Sequence, residues 1–271
     1  MPVSMTDSRL DAALPAVGLA RSRTHAAQLI TAGLVRVDGV AQVKASFRVR
    51  EGQALSVDGD DGYVSRAAGK LVSALDAFAD VVVEGRLALD AGASTGGFTQ
   101  VLLERGARQV IALDVGHGQL APVVADDHRV RVVEGFNVRF ATPETLSAAA
   151  RVDERPALVV GDLSFISLTT VLPALQAVAT PDADFVLLVK PQFEVGRTGI
   201  REGIVKNSGL RGEAVTRVLW SAFDLGLGTA GIASSPIVGA AGNKEYLIWL
   251  SAVVGRNPTE WLDRVTRMTG V

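Results

Sequence analysis

Two sets of residues in this chain have types and spacings that could do chemistry. The first is a glycine-rich turn, Leu87-Ala88-Leu89-Asp90-Ala91-Gly92-Ala93-Ser94-Thr95-Gly96-Gly97-Phe98-Thr99, where an apolar run ends in a carboxylate and a helix-like stretch begins at Phe98. Glycine has no Cβ and tolerates unusual φ/ψ, so such a turn lets a ligand approach the backbone N–H groups of a helix start. A dinucleotide fingerprint, G-x-G-x-x-G, needs its second glycine where this chain has Ser94. A Walker loop ends in Gly-Lys-Ser/Thr, and no lysine stands there. A dinucleotide site or a purely structural turn is disfavoured but stays open.

The second set is built on lysine, which is scarce: Lys44, Lys70, Lys190, Lys206 and Lys244 are all there are, and arginine carries the remaining positive charge. A lysine retained on that background is a candidate for something arginine cannot do, such as giving up a proton. Val160-Gly161-Asp162-Leu163-Ser164-Phe165-Ile166-Ser167 closes one apolar run with a carboxylate and an aromatic, and Leu187-Leu188-Val189-Lys190-Pro191-Gln192-Phe193-Glu194 closes another with a lysine. Burial and a second cation, for which Lys70 is the candidate, would lower the pKa of a lysine at such a strand end. Glu245, in Gly242-Asn243-Lys244-Glu245-Tyr246, precedes a late apolar run and could balance the charge. Each alone reads equally well as a strand-end salt bridge. The ordered set Lys70, Asp162, Lys190, Glu245, with the glycine-rich turn between the first two, is harder to read that way.

The elements that must position these residues alternate. Strand-like runs fall at Leu87–Asp90, Gln109–Asp114, Val130–Glu134, Ala157–Asp162 and Phe185–Lys190, with later ones near Gly231–Ser235 and Tyr246–Leu250. A helix-like stretch at Leu71–Phe78 precedes them, and others, including Glu213–Leu225, separate them. Apolar strands separated by helices predict an α/β fold with a doubly wound parallel sheet, whose ligands bind at the carboxyl ends of the strands. Asp90, Asp114, Asp162 and Lys190 all fall at that edge. Asp114 lies 22 residues after Gly92 and can accept hydrogen bonds from both hydroxyls of a ribose. Asn137, after the third run, could read an adenine edge.

Composition narrows the class. The 271 residues are 48% hydrophobic and 21% charged with a net charge of −2, as expected for a globular protein whose nucleic-acid binding, if any, is a local patch. The absence of cysteine excludes thiolate nucleophiles, thiolate zinc sites and iron–sulfur clusters. His25, His117 and His128 show no metal-ligand pairing, so no metal is expected. No apolar run approaches a membrane span, and the N-terminal residues lack a signal pattern, which predicts a cytoplasmic protein.

Residues 1–58 read as a separate module. A short helix from Asp7 or Ser8 to Leu14 is closed by Pro15 and Gly18, a second runs from about Ser22 to Ala32, and β-like runs flank an Asp38-Gly39 hairpin turn. The pattern Arg9-Leu10-Asp11, Gly18-Leu19-Ala20-Arg21-Ser22-Arg23, Gly33-x-Val35-x-Val37-x-Gly39 and Lys44 resembles the alpha-L RNA-binding module of ribosomal protein S4 type. The resemblance implies that Arg9, Arg21, Arg23 and Lys44 face RNA phosphates. Guanidinium groups at a helix N-terminus suit that task. Residues 59–70 read as a linker carrying Arg66, and 71–271 as the main domain.

The turn at 90–97 is similar to the first motif of S-adenosylmethionine-dependent methyltransferases. With Ser65-Arg66, Lys70-Leu71, Asp114-Val115-Gly116, Gly118-Gln119-Leu120, Asp162 to Leu168, Lys190 to Glu194, Gly242-Asn243 and Glu245-Tyr246, the chain resembles the TlyA-type haemolysin A family. These are ribosomal RNA ribose 2′-O-methyltransferases that join an S4-like module to an FtsJ-like (RrmJ-like) domain. The resemblance implies a Rossmann-like, mostly parallel seven-stranded sheet, an α+β N-terminal module, S-adenosylmethionine as cofactor and ribosomal RNA or ribosomal subunits as partner. It implies that Asp90, Gly92, Ala93, Ser94, Thr95, Gly96, Gly97, Phe98, Asp114, Val115 and Asn137 hold the cofactor. Lys70, Asp162, Lys190 and Glu245 would form the catalytic tetrad, with Arg66 and Phe165 meeting RNA. Ala67 and Gly69 depart from the family pattern beside Lys70. A non-catalytic RNA-binding assembly factor and a haemolysin-like protein are the competing readings. An amino-group methyltransferase would need prolines after Asp162 that are absent.

Overall fold

A computed structural model describes residues 8–17, 19–20, 22–57, 62–196, 200, 203–239 and 242–271. The chain divides into two compact units, Met1–Tyr63 and Val64–Val271.

In the first unit, β1 (Ser8–Arg9) leads into α1 (Leu10–Ala16), followed by α2 (Arg23–Thr31), β2 (Val35–Val37), β3 (Val40–Gln42), β4 (Arg48–Val49) and β5 (Leu55–Val57). The β2–β3 hairpin turns at Asp38-Gly39 as expected, and β5 pairs on the other side of β2. Helix α1 continues through Pro15 instead of stopping there. A proline in the last turn of so short a helix costs one backbone bond, while Leu10, Ala13 and Leu14 gain full burial against Ile30, Val35 and Val49. Asp7, one of the two expected caps, lies outside the described residues. The short β1–β4 ladder has no local signal in the sequence.

The second unit contains α3 (Ala68–Ala77), β6 (Leu87–Ala91), α4 (Gly97–Glu104), β7 (Gln109–Leu113), α5 (Pro122–Ala125) and β8 (Val130–Val133). After a 3₁₀ turn (Val138–Phe140) come α6 (Pro143–Ala150), β9 (Leu158–Gly161), α7 (Leu168–Val178), β10 (Asp184–Val189) and α8 (Pro191–Glu194). The chain ends with α9 (Ser208–Asp224), β11 (Gly228–Ser234), β12 (Tyr246–Ser251), a second 3₁₀ turn (Pro258–Trp261) and α10 (Leu262–Thr269). The strands form one seven-stranded sheet in the order β11-β12-β10-β9-β6-β7-β8. Strands β8, β7, β6, β9 and β10 are parallel, and β12 runs antiparallel to both neighbours. Every residue of β6, β9, β10 and β12 is buried, which is why these segments are apolar apart from Asp90, Asp184 and Ser251.

Chain order reverses between β6 and β9, the place where open α/β sheets bind ligands. The register sets Ala91 opposite Gly161, so the glycine-rich turn and the Asp162 loop leave the sheet side by side. Among the described residues, no helix is long and apolar enough to cross a membrane, and no cluster of His, Asp and Glu could hold a metal ion.

Candidate active site

The turn after β6 is a cradle held open by its backbone. Gly92 N–H (2.8 Å) and Ala93 N–H (3.0 Å) both bond to the Leu113 carbonyl at the end of β7. Gly92 has φ +85°, and a Cβ there would come within 3.1 Å of Leu163 and 3.5 Å of the Asp162 carbonyl. Gly96, at φ +94°, caps α4, and a Cβ would meet Leu120 at 2.8 Å. Both positions demand glycine for conformation and for space. Asp114 closes the cradle from β7: its two carboxylate oxygens accept the N–H groups of Ser94 and Gly116, each at 2.8 Å. Gly97 packs on the segment before Lys70, where a Cβ would lie 2.9 Å from that of Ser65. Ser94 is exposed, Thr95 half-buried, and Ala93 and Phe98 are buried.

Asp90 lies beneath this cradle, wholly buried. The Thr99 hydroxyl donates to its Oδ2 at 2.7 Å, while Oδ1 is buried without a hydrogen-bond partner. Burial pushes its carboxyl up to about 7, against the pull of the Thr99 bonds, with Asp162 and Asp114 adding to the rise. A carboxyl whose folded pKa lies above its unfolded value favours folding fully below the unfolded pKa and loses that advantage as pH rises to the folded one. Apo stability should therefore fall between about pH 4 and pH 7, by on the order of 4 kcal/mol if Asp90 acts alone. Asp90→Asn should flatten that slope in melting curves taken across the window. An unchanged slope would remove Asp90 as its source.

The second set of residues meets at the adjacent strand ends. Lys70 is in the first turn of α3, which starts at Ala68, so it belongs to the body of this unit and not to a linker. Its ammonium donates to Glu245 Oε2 at 2.7 Å and to Asp162 Oδ2 at 3.2 Å. Lys190 Nζ stands 2.7 Å from Asp162 Oδ1 and donates to Ser164 Oγ at 2.7 Å. The Asp162–Lys190 pair is an ion contact, and Asp162 Oδ1 accepts no hydrogen bond. The result is a row, Lys190–Asp162–Lys70–Glu245, of alternating sign and no net charge. Lys70 and Lys190 are each 7% exposed and Glu245 3%. In so dry a setting each charge depends on its neighbours. Gly239 backs the row, because a Cβ there would come within 2.5 Å of Glu245 Oε1.

The remaining expected residues sit as follows. Val115 is exposed, and so is Arg66. Asn137 caps the 3₁₀ turn, its Oδ1 accepting from Arg139 N–H at 3.0 Å, which leaves its NH₂ and one Oδ1 lone pair for a base edge. Phe165 is 91% exposed at φ +64° and packs on Phe193 with ring centres 5.3 Å apart. In the first unit, Arg9 and Arg23 both pair with Asp11, at 3.0 and 3.1 Å, and hold its carboxyl down at about 2, the Arg9 hydrogen bond contributing most. Their side chains remain 45% and 64% exposed. Lys44 is exposed, and Arg21 lies outside the described residues. An open groove of about 530 Å³ lined by Trp249, Arg256, Trp261 and Arg264 contains none of these residues.

The FtsJ-like methyltransferase family model matches residues 63–252, and the S4 domain model matches residues 8–55. The 16S/23S rRNA (cytidine-2′-O)-methyltransferase TlyA of Mycobacterium tuberculosis is 52% identical over 252 residues, 92% of this chain and 91% of the relative. The chain belongs to the TlyA-type FtsJ-like methyltransferases. Hemolysin A of Brachyspira hyodysenteriae, 38% identical over 88% of this chain and 98% of its own, is another relative. A solved structure from Streptococcus thermophilus, provisionally described as a hemolysin, superposes with a TM-score of 0.76 at 37% identity, covering 98% of this chain and 97% of that one.

Four residues of this TlyA-type site are not identified by sequence reasoning: Thr99, Ser164, Glu194 and Gly239. The first three lie inside motifs that the sequence does show; Ser164 and Glu194 find partners 26 residues away, and the Thr99–Asp90 bond, nine residues apart, depends on α4 folding back over β6. For Gly239 the signal is one glycine in a Gly-Ala-Ala-Gly loop, indistinguishable from a flexible turn until Glu245 is placed against it.

Proposed function

We propose that the protein transfers a methyl group from S-adenosylmethionine to a ribose 2′-hydroxyl, that of a cytidine, in ribosomal RNA of the small subunit, the large subunit or both. The observation that carries this reading is the buried row Lys190–Asp162–Lys70–Glu245 beside a nucleoside cradle. The cradle fits the cofactor: Gly92 and Gly96 leave room at the backbone, Asp114 retains lone pairs for a ribose diol, and Val115 offers an apolar surface to adenine. When bound, the cofactor supplies an electrophilic methyl group on a sulfonium.

The protein's own residues do the rest. A ribose hydroxyl is a weak acid and must shed its proton as it attacks. Lys190, as the neutral amine, is the group positioned to take it on Nζ, exchanging its contact with Ser164 for one with the 2′-oxygen. Asp162 orients Lys190 from one side and Lys70 from the other, and Glu245 holds Lys70. The row is already ordered, and the proton that Lys190 gains restores its balance of charge, so the site needs little reorganisation as charge moves. Phe165, upright at the mouth, is a stacking surface for the target base. On this reading the protein works in the cytoplasm, alongside its ribosomal RNA substrate. The test is to map 2′-O-methyl groups on ribosomal RNA from cells with and without the protein. No difference at any ribose would sink the reading.

The first unit supplies RNA affinity in this scheme. Changing Arg21 and Arg23 together to alanine should weaken RNA binding and flatten its salt dependence. Each phosphate interaction removed should take roughly 0.7–0.9 from the logarithmic slope. Cofactor affinity without RNA should not move. A slope equal to wild type would take this helix start out of the RNA footprint.

A further inference from the structure

The loops that carry Asp162 and Lys190 are tied together at their far ends by a side chain with no part in the chemistry above. We propose that Glu194 is a positioning residue, a latch that fixes Lys190 against Asp162 by capping the helix that follows the Asp162 loop. The inference rests on the methyl-transfer reading and gives a function to the last residue of the Lys190-Pro191-Gln192-Phe193-Glu194 motif.

Glu194 ends α8, the single turn that starts from Lys190, and is 6% exposed. Its Oε1 accepts the N–H of Leu168 at 2.8 Å, and its Oε2 accepts the Ser167 hydroxyl at 2.5 Å. Leu168 opens α7, and a first-turn N–H has no partner within its own helix. A carboxylate suits that position twice over, as acceptor for two donors and as negative charge at the helix's positive end. Burial pushes the Glu194 carboxyl up, opposed by its bonds from Ser167 and Leu168 and by Arg217. The backbone is pinned as well, since Arg217 on α9 donates to the Glu194 carbonyl at 2.9 Å.

The latch closes a ring. At one end Lys190 meets Asp162 Oδ1 and Ser164 Oγ, each at 2.7 Å; at the other Glu194 meets Ser167 and Leu168. Phe165 and Phe193 pack between them. Phe165 is held inside this ring in the left-handed region, at φ +64°. A bulky residue keeps such a conformation only where its surroundings over-determine it. With Glu194 removed, residues 163–167 are free to relax, and Ser164 and Phe165 leave the positions from which they face Lys190 and the target base.

The test uses the full chain with Glu194→Ala, Glu194→Gln, Ser167→Ala and the Ser167→Ala/Glu194→Ala pair. Four quantities are read: amide exchange over residues 163–170, single-turnover methyl transfer at saturating RNA and cofactor, cofactor affinity, and melting temperature. Glu194→Ala is expected to speed exchange in that segment by about tenfold or more and to slow transfer by about thirtyfold or more, with cofactor affinity within about threefold. Glu194→Gln should fall between, because its carbonyl oxygen still accepts from Leu168. The double variant should transfer no more slowly than Glu194→Ala, since both changes break one link. Exchange unchanged in Glu194→Ala, or faster exchange with transfer within about threefold of wild type, overturns the latch. Cofactor affinity and melting temperature falling in step with activity overturn it too, by making Glu194 a plain structural cap. If Glu194→Ala does not fold, Glu194→Gln and Ser167→Ala decide between the same outcomes. Wild-type protein that methylates no ribose overturns the functional reading itself, and that result is visible without any variant.

Discussion

Lys190→Arg is expected to slow methyl transfer by about 10²–10⁴-fold, the range a positioned acid or base contributes, while cofactor and RNA affinities stay within about threefold. The change keeps the positive charge and most of the length. What it removes is the option of losing a proton, because a guanidinium stays charged at any working pH. The site sharpens the comparison. Lys190 already has Asp162 and Ser164 as partners, so an arginine retains anionic and hydroxyl acceptors and is not stranded. Melting temperature and cofactor affinity, measured alongside, report whether the larger fork has disturbed the packing. If the role of Lys190 is only to present positive charge to the ribose oxygen, the loss will be mild. Activity close to wild type would make Lys190 a charge clamp and leave proton removal to solvent or another group.

Much of this arrangement is legible in the sequence because the sheet is buried on both faces. Leu87–Ala91, Leu158–Gly161 and Asp184–Val189 read as apolar runs, and Asp162 and Lys190, the first polar residues past two of them, mark the edge where ligands bind. The spacing of Gly92 and Gly96 likewise carries its own explanation, since both residues adopt positive φ in a crowded turn. The start of α3 is not legible, because Ala67 at its N-cap makes no side-chain bond and nothing marks Lys70 as helical. Asp90 reads from sequence as one of the ligand-facing residues, and its full burial under Thr99 depends on how α4 packs back on β6. Glu194 illustrates the same limit: its partner Leu168 N–H is 26 residues away, and no local pattern announces a carboxylate capping a helix it does not precede. Local signals fix strands and turns; they do not fix which distant side chain fills an unpaired backbone group.

Lys70→Met should abolish methyl transfer and also destabilise the fold by about 3–5 kcal/mol, roughly 6–20 °C in melting temperature for a unit of this size. The side chain is matched in length and apolar, so little packing is lost. The cost comes from the acids left behind. Lys70 is the cation that Glu245 and Asp162 share, at 2.7 and 3.2 Å, and Glu245 is 3% exposed. Without it, Glu245 is a carboxylate in a dry site, and burial raises the pKa of such a group above the unfolded value of about 4.3. A carboxyl shifted upward favours folding at acid pH and loses that advantage as pH rises through the folded pKa. The deficit of Lys70→Met against wild type should therefore be small near pH 4 and widen toward pH 8. Adding Glu245→Gln removes the stranded charge, so the Lys70→Met/Glu245→Gln pair should recover much of the stability at pH 8 and none of the activity. That split tells a working lysine from a structural one. If the pair regains methyl transfer together with stability, Lys70 matters only for keeping the fold intact. A Lys70→Met deficit that does not change with pH would mean that Glu245 and Asp162 find other partners, and that the row of charges is not the unit it looks to be.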